Sequence, residues 1–247
     1  MAKKIFLLVT SLFIVVTVVF YNHQFKPFQG KDKTKETVTT TSSTEKKETV
    51  KLPGKVDDWN LVLVNDATEI KEEPKELKAL PDGHEVDSRI YTDYLNLTEA
   101  AKNEEIDLVI ISSYRSVEEQ RGVVATEIAQ YESQGHTHEE ATDLAMKYVT
   151  VPGHSEHHTG LALDVLDTTW YNDGHLLEEE FGATKVGKWL AENVCHYGFV
   201  IRYEKGKEKI TGINYEPWHI RYVGKENAEY MYNNHLALEE YIDQLKK

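Results

Sequence analysis

The chain has 247 residues, of which 40% are hydrophobic and 28% are charged, and its formal net charge is −14 at pH 7. This length is sufficient for one well-packed domain with additional segments. Because binding to nucleic acid requires a basic surface, the acidic balance argues against nucleic acid as a partner.

The first 25 residues have the pattern of an exported protein. Lys3 and Lys4 precede an apolar run from Ile5 to Tyr21 that contains no charge. As a helix this run would reach roughly 25 Å, near the lower limit for spanning a bilayer. The pattern predicts a membrane anchor over residues 1–25, with the rest of the chain outside the cell. A cleaved signal peptide is the alternative, although no small-x-small cleavage site follows the run.

Two further regions follow this segment. Residues 26–52 are mainly Lys, Thr, Glu and Ser, a composition that predicts a disordered linker because it offers little apolar surface to bury. Residues 53–247 are predicted to form the catalytic domain, and we expect it to be a monomer. The single cysteine, Cys195, allows no intramolecular disulfide, and its mostly apolar neighbours predict a buried side chain rather than a nucleophile.

Periodicity and capping signals predict the elements of this domain. Ser116 and Thr137 each precede a glutamate by three residues, which is the pattern of a capping box at the start of a helix. No regular βαβ repeat is present, so the sequence predicts an α+β fold with a small, mainly antiparallel sheet flanked by helices. The elements are, in chain order, a strand at 59–64, a helix at 88–103, a strand at 108–111, a helical stretch from 116 to 148 with a break at 134–136, a strand at 161–165, a helix at 185–197, strands at 199–203 and 218–222, and helices at 226–233 and 238–245.

Two separated segments supply residues that could bind one metal ion. The first contains His157 and Asp164, and the second is Glu216-Pro-Trp-His219. Three protein ligands with an open coordination position and a nearby carboxylate are typical of a catalytic zinc site. We therefore predict that His157, Asp164 and His219 hold one Zn²⁺, and that Glu216 is the general base for the attacking water.

A third segment contributes a positive charge. Arg115 follows a predicted buried strand, at a strand end where active sites often form. Its guanidinium could bind a substrate carboxylate through two hydrogen bonds or stabilise an oxyanion. Gln120 lies about one helical turn further along and could face the same cleft.

Together these motifs resemble the zinc peptidases that include lysostaphin-type endopeptidases, D-alanyl-D-alanine metallopeptidases and hedgehog domains. The details are most similar to the VanY-type carboxypeptidases and their L,D-carboxypeptidase relatives in Gram-positive bacteria. The segments that carry the resemblance are Ser-x-Tyr114-Arg115-Ser116 with Gln120, Ser155-x-His157-x-x-Gly160-x-Ala162-x-Asp164, Tyr197-Gly-Phe199 and Glu216-x-Trp218-His219.

The resemblance implies a hedgehog-like zinc peptidase fold and a set of roles. His157, Asp164 and His219 would be the zinc ligands, and Glu216 would be the general base. Arg115 would stabilise the scissile carbonyl or anchor the terminal carboxylate. The remaining residues implied to lie near a terminal D-alanine are Ser112, Gln120 and Ser155. Two positions depart from the family pattern: Ser113 replaces a frequent glycine, and His158 stands where relatives often have glutamine or another residue.

The resulting hypothesis is a membrane-tethered zinc carboxypeptidase at the outer face of a Gram-positive-like cell membrane, which removes the C-terminal D-alanine from peptidoglycan stem peptides. The sequence leaves open whether it acts on pentapeptides (D,D activity) or on tetrapeptides (L,D activity). Two alternatives are an endopeptidase of cell-wall peptides and an inactive, zinc-containing binding module. The presence of both Glu216 and Arg115 argues against the inactive module.

Overall fold

A computed structural model describes residues 51–247. The predicted anchor at residues 1–25 and nearly all of the predicted linker at 26–52 lie outside the described residues. Within residues 51–247, no helix combines the length and the apolar character needed to cross a membrane.

The described chain contains six strands and eight α-helices, joined by turns and short 3₁₀ segments. The strands are β1 (Leu77–Ala79), β2 (Glu85–Asp87), β3 (Leu108–Ser112), β4 (Ala162–Asp167), β5 (Phe199–Tyr203) and β6 (Glu216–Tyr222). The helices are α1 (Tyr91–Asn103), α2 (Val117–Ser133), α3 (His138–Ala145), α4 (Thr168–Asn172), α5 (Lys185–Asn193), α6 (Glu208–Thr211), α7 (Lys225–Asn234) and α8 (Leu238–Leu245).

The main sheet has four strands in the order β3-β4-β6-β5, and every neighbouring pair is antiparallel. β1 and β2 form a separate antiparallel hairpin. This architecture confirms the predicted α+β fold with a small antiparallel sheet. β4 and β6 lie at the centre of the sheet, and every residue of β6 is buried. Polar side chains on these two strands are therefore enclosed by the fold.

Two clusters of buried apolar residues hold the helices to this sheet. The larger cluster joins α1 and α5 to the sheet and includes Leu97, Leu163, Leu190 and Ile220. The smaller cluster joins α7 and α8 to β5 and includes Cys195, which confirms that its side chain is buried. The C-terminal helices thus pack onto the edge of the sheet that β5 forms.

Most predicted elements are present, but the predicted strand at 59–64 is wrong. This segment begins with a 3₁₀ turn at Trp59–Leu61. The carbonyl oxygens of Asn60 and Val62 accept hydrogen bonds from the guanidinium of Arg221, at 3.3 and 2.7 Å. These carbonyls therefore bind a side chain instead of a neighbouring strand. The capping boxes at Ser116 and Thr137 are both present, at the start of α2 and α3.

Candidate active site

A tight turn places His157 in front of the central strand β4. Ser155 accepts a hydrogen bond from the backbone N–H of His157 and so caps the 3₁₀ turn Glu156–Thr159. Gly160 ends this turn with φ of 64°, and a Cβ atom there would lie 2.8 Å from the backbone nitrogen of Asp87. Glycine is needed at this position because it tolerates both the left-handed backbone and the close approach of the hairpin.

The pairing of the central strands brings the other two predicted ligands together. Asp164 on β4 and His219 on β6 are direct partners in the antiparallel ladder. Ser112, at the end of β3, lies opposite Asp164 on the other side, after a register shift that follows Ile110. Residues far apart in the chain therefore meet at one point on the sheet, as the sequence predicts.

His157, Asp164 and His219 form a compact, buried cluster whose potential ligand atoms all lie within 4.8 Å of one another. Nε2 of His157 is 3.3 Å from Oδ2 of Asp164, and Nδ1 of His219 is 3.0 Å from Oδ1. The buried Oδ1 atom has no hydrogen-bond partner among residues 51–247. Ligand atoms that converge on one point fit a cation, and two histidines with one carboxylate are a donor set that suits zinc.

The charges around the cluster also favour a cation. Burial acts to raise the pKa of Asp164, but His157 and His219 outweigh it and hold the pKa below its usual range. Burial lowers the pKa of His157 and so keeps this ring neutral. Burial opposes the charged form of His219, yet the Asp164 and Glu156 carboxylates raise its pKa to about 9. Carboxylates that stabilise a positive imidazolium, here Asp164, Glu156 and Glu216, would also stabilise a bound metal ion.

Glu216, the predicted general base, is the first residue of β6 and is buried beside the cluster. Its Oε2 atom lies 3.6 Å from Nδ1 of His219. Burial raises the pKa of Glu216 well above the usual range, and the nearby Asp164 and Glu156 carboxylates add to this rise. A carboxylate with a raised pKa next to a metal site is suited to take up and return a proton.

The guanidinium of Arg115 is fixed by two of the predicted substrate-binding residues. It donates to Oε1 of Gln120 at 2.6 Å and to Oγ of Ser112 at 2.7 Å. Gln120 is almost fully buried, and its amide N–H₂ donates to the carbonyl of Thr150 at 2.7 Å. Ser112 and Gln120 therefore orient Arg115, while Arg115 presents the charge.

His158, one of the departures from the family pattern, connects the loop of Arg115 to the turn before His157. Its Nδ1 lies 2.7 Å from the carbonyl oxygen of Arg115, and its Nε2 accepts from the backbone N–H of Gly153 at 3.1 Å. One nitrogen donates and the other accepts, so the ring is neutral. A glutamine side chain could make the same two bonds, since its amide also offers one donor group and one acceptor. Ser113, the other departure, uses its backbone carbonyl to accept from Nδ1 of His157 at 2.7 Å.

These groups face one cavity of about 610 Å³, bounded by α2 on one side and by residues 176–180 on another. Seven of the eight predicted site residues line it: Arg115, Gln120, Ser155, His157, Asp164, Glu216 and His219. The eighth, Ser112, does not line the cavity but accepts a hydrogen bond from Arg115, which does. Sequence reasoning did not identify the buried ion pairs behind His219, which involve Glu156, Arg202 and Arg221. The available signal was an arginine within each of two predicted strands, Arg202 in 199–203 and Arg221 in 218–222.

An antiparallel sheet that carries two histidines and one aspartate, with a glutamate and an arginine in the same cavity, defines a metallopeptidase-type active site. The chain belongs to the VanY family of D-alanyl-D-alanine carboxypeptidases, whose family model matches residues 83–225. This confirms the family that the motifs predict.

Individual relatives agree with this assignment. A D-alanyl-D-alanine carboxypeptidase of Enterococcus faecalis is 36% identical over 196 residues, which cover 79% of this chain and 70% of that protein. The chain is also similar to the vancomycin resistance D,D-pentapeptidase VanY, for which a crystal structure shows a glutamate-to-alanine mutant in complex with Zn(II). The two sequences are 37% identical and the TM-score is 0.67, with 75% of this chain and 99% of the VanY chain covered. The structure of the LD-carboxypeptidase LdcB is similar as well, with 35% sequence identity and a TM-score of 0.63. The similarity covers 75% of this chain and 86% of the LdcB chain.

Proposed function

We propose that this protein is a zinc-dependent carboxypeptidase that removes the C-terminal D-alanine from peptidoglycan stem peptides. The observation that carries the proposal is the meeting of His157, Asp164 and His219 with Glu216 and Arg115 in one cavity. The zinc complex of the related VanY and the D-alanine substrates named for the family support it.

The three ligand residues would hold the zinc ion, which when bound lowers the pKa of a water molecule and polarises the scissile carbonyl. Glu216 takes a proton from the attacking water and delivers it to the leaving amine. The peptide C–N bond breaks and the hydroxyl of water joins the carbonyl carbon. The products are the shortened stem peptide and free D-alanine. Burial of Glu216 favours this exchange because its raised pKa lets the side chain hold the proton between the two steps.

Arg115 stabilises the carbonyl oxygen as it gains negative charge. Burial lowers the pKa of Arg115, while the negative charges of Asp164, Glu119 and Glu216 oppose this effect. The guanidinium therefore lies within electrostatic reach of the ligand cluster and of the base. Its hydrogen bonds to Ser112 and Gln120 fix its direction before the substrate arrives, which is the condition for effective electrostatic stabilisation.

The test is a set of defined muropeptides incubated with the zinc-loaded full-length chain, with products weighed by mass spectrometry. Loss of one alanine from a pentapeptide demonstrates D,D activity, and loss of one alanine from a tetrapeptide demonstrates L,D activity. Release of alanine from neither peptide would overturn the proposal. Cleavage within a cross-linked dimer, without release of alanine, would identify an endopeptidase instead.

We further propose that the domain acts outside the cell, tethered to the membrane by residues 1–25 through the linker at 26–52. The charge-free run from Ile5 to Tyr21 behind two lysines supports this proposal. In intact protoplasts, a C-terminal epitope tag should be accessible to added protease and should sediment with the membranes. A tag that stays protected from the protease, or a chain released without residues 1–25, would contradict it.

A further inference from the structure

A buried network of charges lies directly behind the ligand His219. Oε1 of Glu156 accepts from Nε of Arg202 at 2.8 Å and from Nη1 of Arg221 at 2.6 Å. The side chains of these three residues are completely shielded from solvent. Arg202 is also held by both carboxylate oxygens of Glu239 on α8, at 2.9 and 2.6 Å. Two negative and two positive charges thus compensate one another inside the domain.

The second oxygen of Glu156 points toward the metal cluster. Oε2 of Glu156 and Nε2 of His219 are 3.6 Å apart, and both are buried without a hydrogen-bond partner among residues 51–247. The opposite nitrogen of the same ring, Nδ1, faces Asp164. An approach of these two unpaired polar atoms by about 0.8 Å would form a hydrogen bond, because an N–H···O bond to a charged group is near 2.8 Å.

We propose that Glu156 is a positioning residue for the metal site: it accepts the Nε2 proton of His219 and so directs the lone pair of Nδ1 to the metal. Arg202 and Arg221 fix the Glu156 carboxylate in this orientation. The inference rests on the metal site of the proposed function. It assigns no contact with substrate to Glu156.

The other histidine ligand supports this assignment by comparison. His157 donates from Nδ1 to the carbonyl of Ser113 at 2.7 Å, which leaves Nε2 for the metal. Histidine ligands usually donate their second N–H to a carbonyl or a carboxylate, and this bond fixes the ring and its tautomer. Glu156 is the group that can do the same for His219. The two rings thus present different nitrogens because their acceptors lie on different sides.

The energetics of the network favour a role beyond stability. Burying a carboxylate and two guanidinium groups carries a large desolvation cost, and well-packed apolar side chains are often as stable as a buried ion pair. What the network does provide is a buried, negatively charged Glu156 carboxylate next to His219. Arg221 lies on β6, the strand that carries His219, and Arg202 lies on the neighbouring strand β5, so the network is built into the sheet.

The decisive variant is Glu156→Gln, which keeps the shape and removes one acceptor. If the amide oxygen faces the arginines, the N–H₂ group faces Nε2–H of His219. If the oxygen faces His219, the N–H₂ group faces two guanidinium donors. Either orientation opposes donors to donors, so we expect the zinc Kd, measured by competition with a chromophoric chelator, to rise about 10- to 100-fold.

Glu239→Gln is the matched control, because it removes the same charge from Arg202 without reaching His219. We expect a lower Tm in this variant but a zinc Kd within about twofold of the wild type, since Glu156 keeps both of its arginines. An equal loss of zinc affinity in the two variants would show that the effect is general destabilisation and would overturn the inference. A wild-type Kd in Glu156→Gln would overturn it as well.

A measurement on the unaltered chain makes the inference testable even if Glu156→Gln does not fold. In the zinc-loaded full-length protein labelled with ¹⁵N-histidine, NMR should show His219 with a proton on Nε2 and metal on Nδ1. A metal-bound Nε2 would overturn the role of Glu156. Failure of the wild type to bind zinc would instead contradict the proposed function, and unchanged zinc binding without release of alanine would contradict only the proposed activity.

Discussion

Oε2 of Glu216 lies 3.6 Å from Nδ1 of His219, although the two residues are three positions apart in one strand. Strict alternation would place their side chains on opposite faces of the sheet. The register with β5 explains the exception. Ile201 pairs with Ile220 and Tyr203 pairs with Glu216, so two steps along β5 correspond to four along β6. The irregularity rotates the start of β6 and brings base and ligand to the same side.

This relationship predicts that Glu216→Gln separates zinc binding from catalysis. The amide cannot accept and return a proton, and general acid–base catalysis contributes about 10²- to 10⁴-fold to the rate. We expect kcat for release of alanine to fall by that amount, while the zinc content measured by atomic absorption stays at one ion per chain. The control is Glu118→Gln, which makes the same change at an exposed position on α2. Full activity in Glu216→Gln would remove Glu216 from the mechanism.

Arg115→Lys tests the role of a fixed guanidinium. Lysine keeps the charge but loses the paired bonds to Ser112 and Gln120. Hydrogen bonds to charged groups are worth about 1.5–3 kcal/mol, so kcat/KM should fall about 10- to 100-fold. Stabilisation of the carbonyl oxygen predicts that the loss appears in kcat, whereas an anchor for the terminal carboxylate would raise KM alone. Arg121→Lys, on the exposed side of α2, should leave both constants unchanged.

The sequence was sufficient to predict the metal ligands, but not the strand irregularities and long-range contacts that position the residues around them. Spacing within the segments around His157 and His219 predicted the ligands, because a strand puts alternate residues on one face. The irregular start of β6 and the register shift in β3 depend on pairing between strands distant in sequence, which local periodicity does not record. The role of Arg221 follows the same logic, since its partners include backbone carbonyls near Asn60, some 160 residues away.

Contacts between segments distant in sequence also explain why the fold prediction was wrong in places. The segment from Trp59 has the alternation of a strand, yet the sheet has no place for it because Arg221 binds its carbonyls. The hairpin of β1 and β2 was not predicted, since its strands have three residues each and little apolar pattern. Its turn at Pro81-Asp82-Gly83 was a usable signal, with Gly83 at φ of 93°.

Zinc binding should release protons in a defined pH range. The nearby carboxylates raise the pKa of His219 to about 9, so below that pH the metal-free ring carries a second proton, which a metal on Nδ1 must displace. Zinc affinity should therefore rise with pH up to about 9, and at pH 7.5 binding should release at least about one proton per ion. Calorimetry in two buffers of different ionisation enthalpy measures this number. Binding without proton release would contradict the raised pKa.

Gly160→Ala should destabilise the domain through the turn before β4. A left-handed backbone costs a residue with a Cβ about 1–2 kcal/mol, and the added Cβ would lie 2.8 Å from the backbone nitrogen of Asp87. A loss of about 2 kcal/mol or more corresponds to a fall in Tm of about 4–8 °C for a domain of this size. Gly135→Ala is the control, with φ of 99° and open space around the Cβ. Equal losses in both variants would show that the contact with Asp87 contributes nothing.

His158 provides a test of how the loop of Arg115 is held. His158→Ala leaves the Arg115 carbonyl and the Gly153 N–H without their partner, and each unsatisfied buried group costs about 1–3 kcal/mol. We expect His158→Ala to lower the free energy of unfolding by at least about 2 kcal/mol and to reduce kcat/KM, because Arg115 loses its fixed position. His158→Gln should restore most of both quantities, since its amide can donate to the carbonyl and accept from the N–H. Denaturant unfolding and steady-state kinetics on the same preparations measure the two effects. If the glutamine variant is as impaired as the alanine variant, the two hydrogen bonds do not account for the contribution of His158.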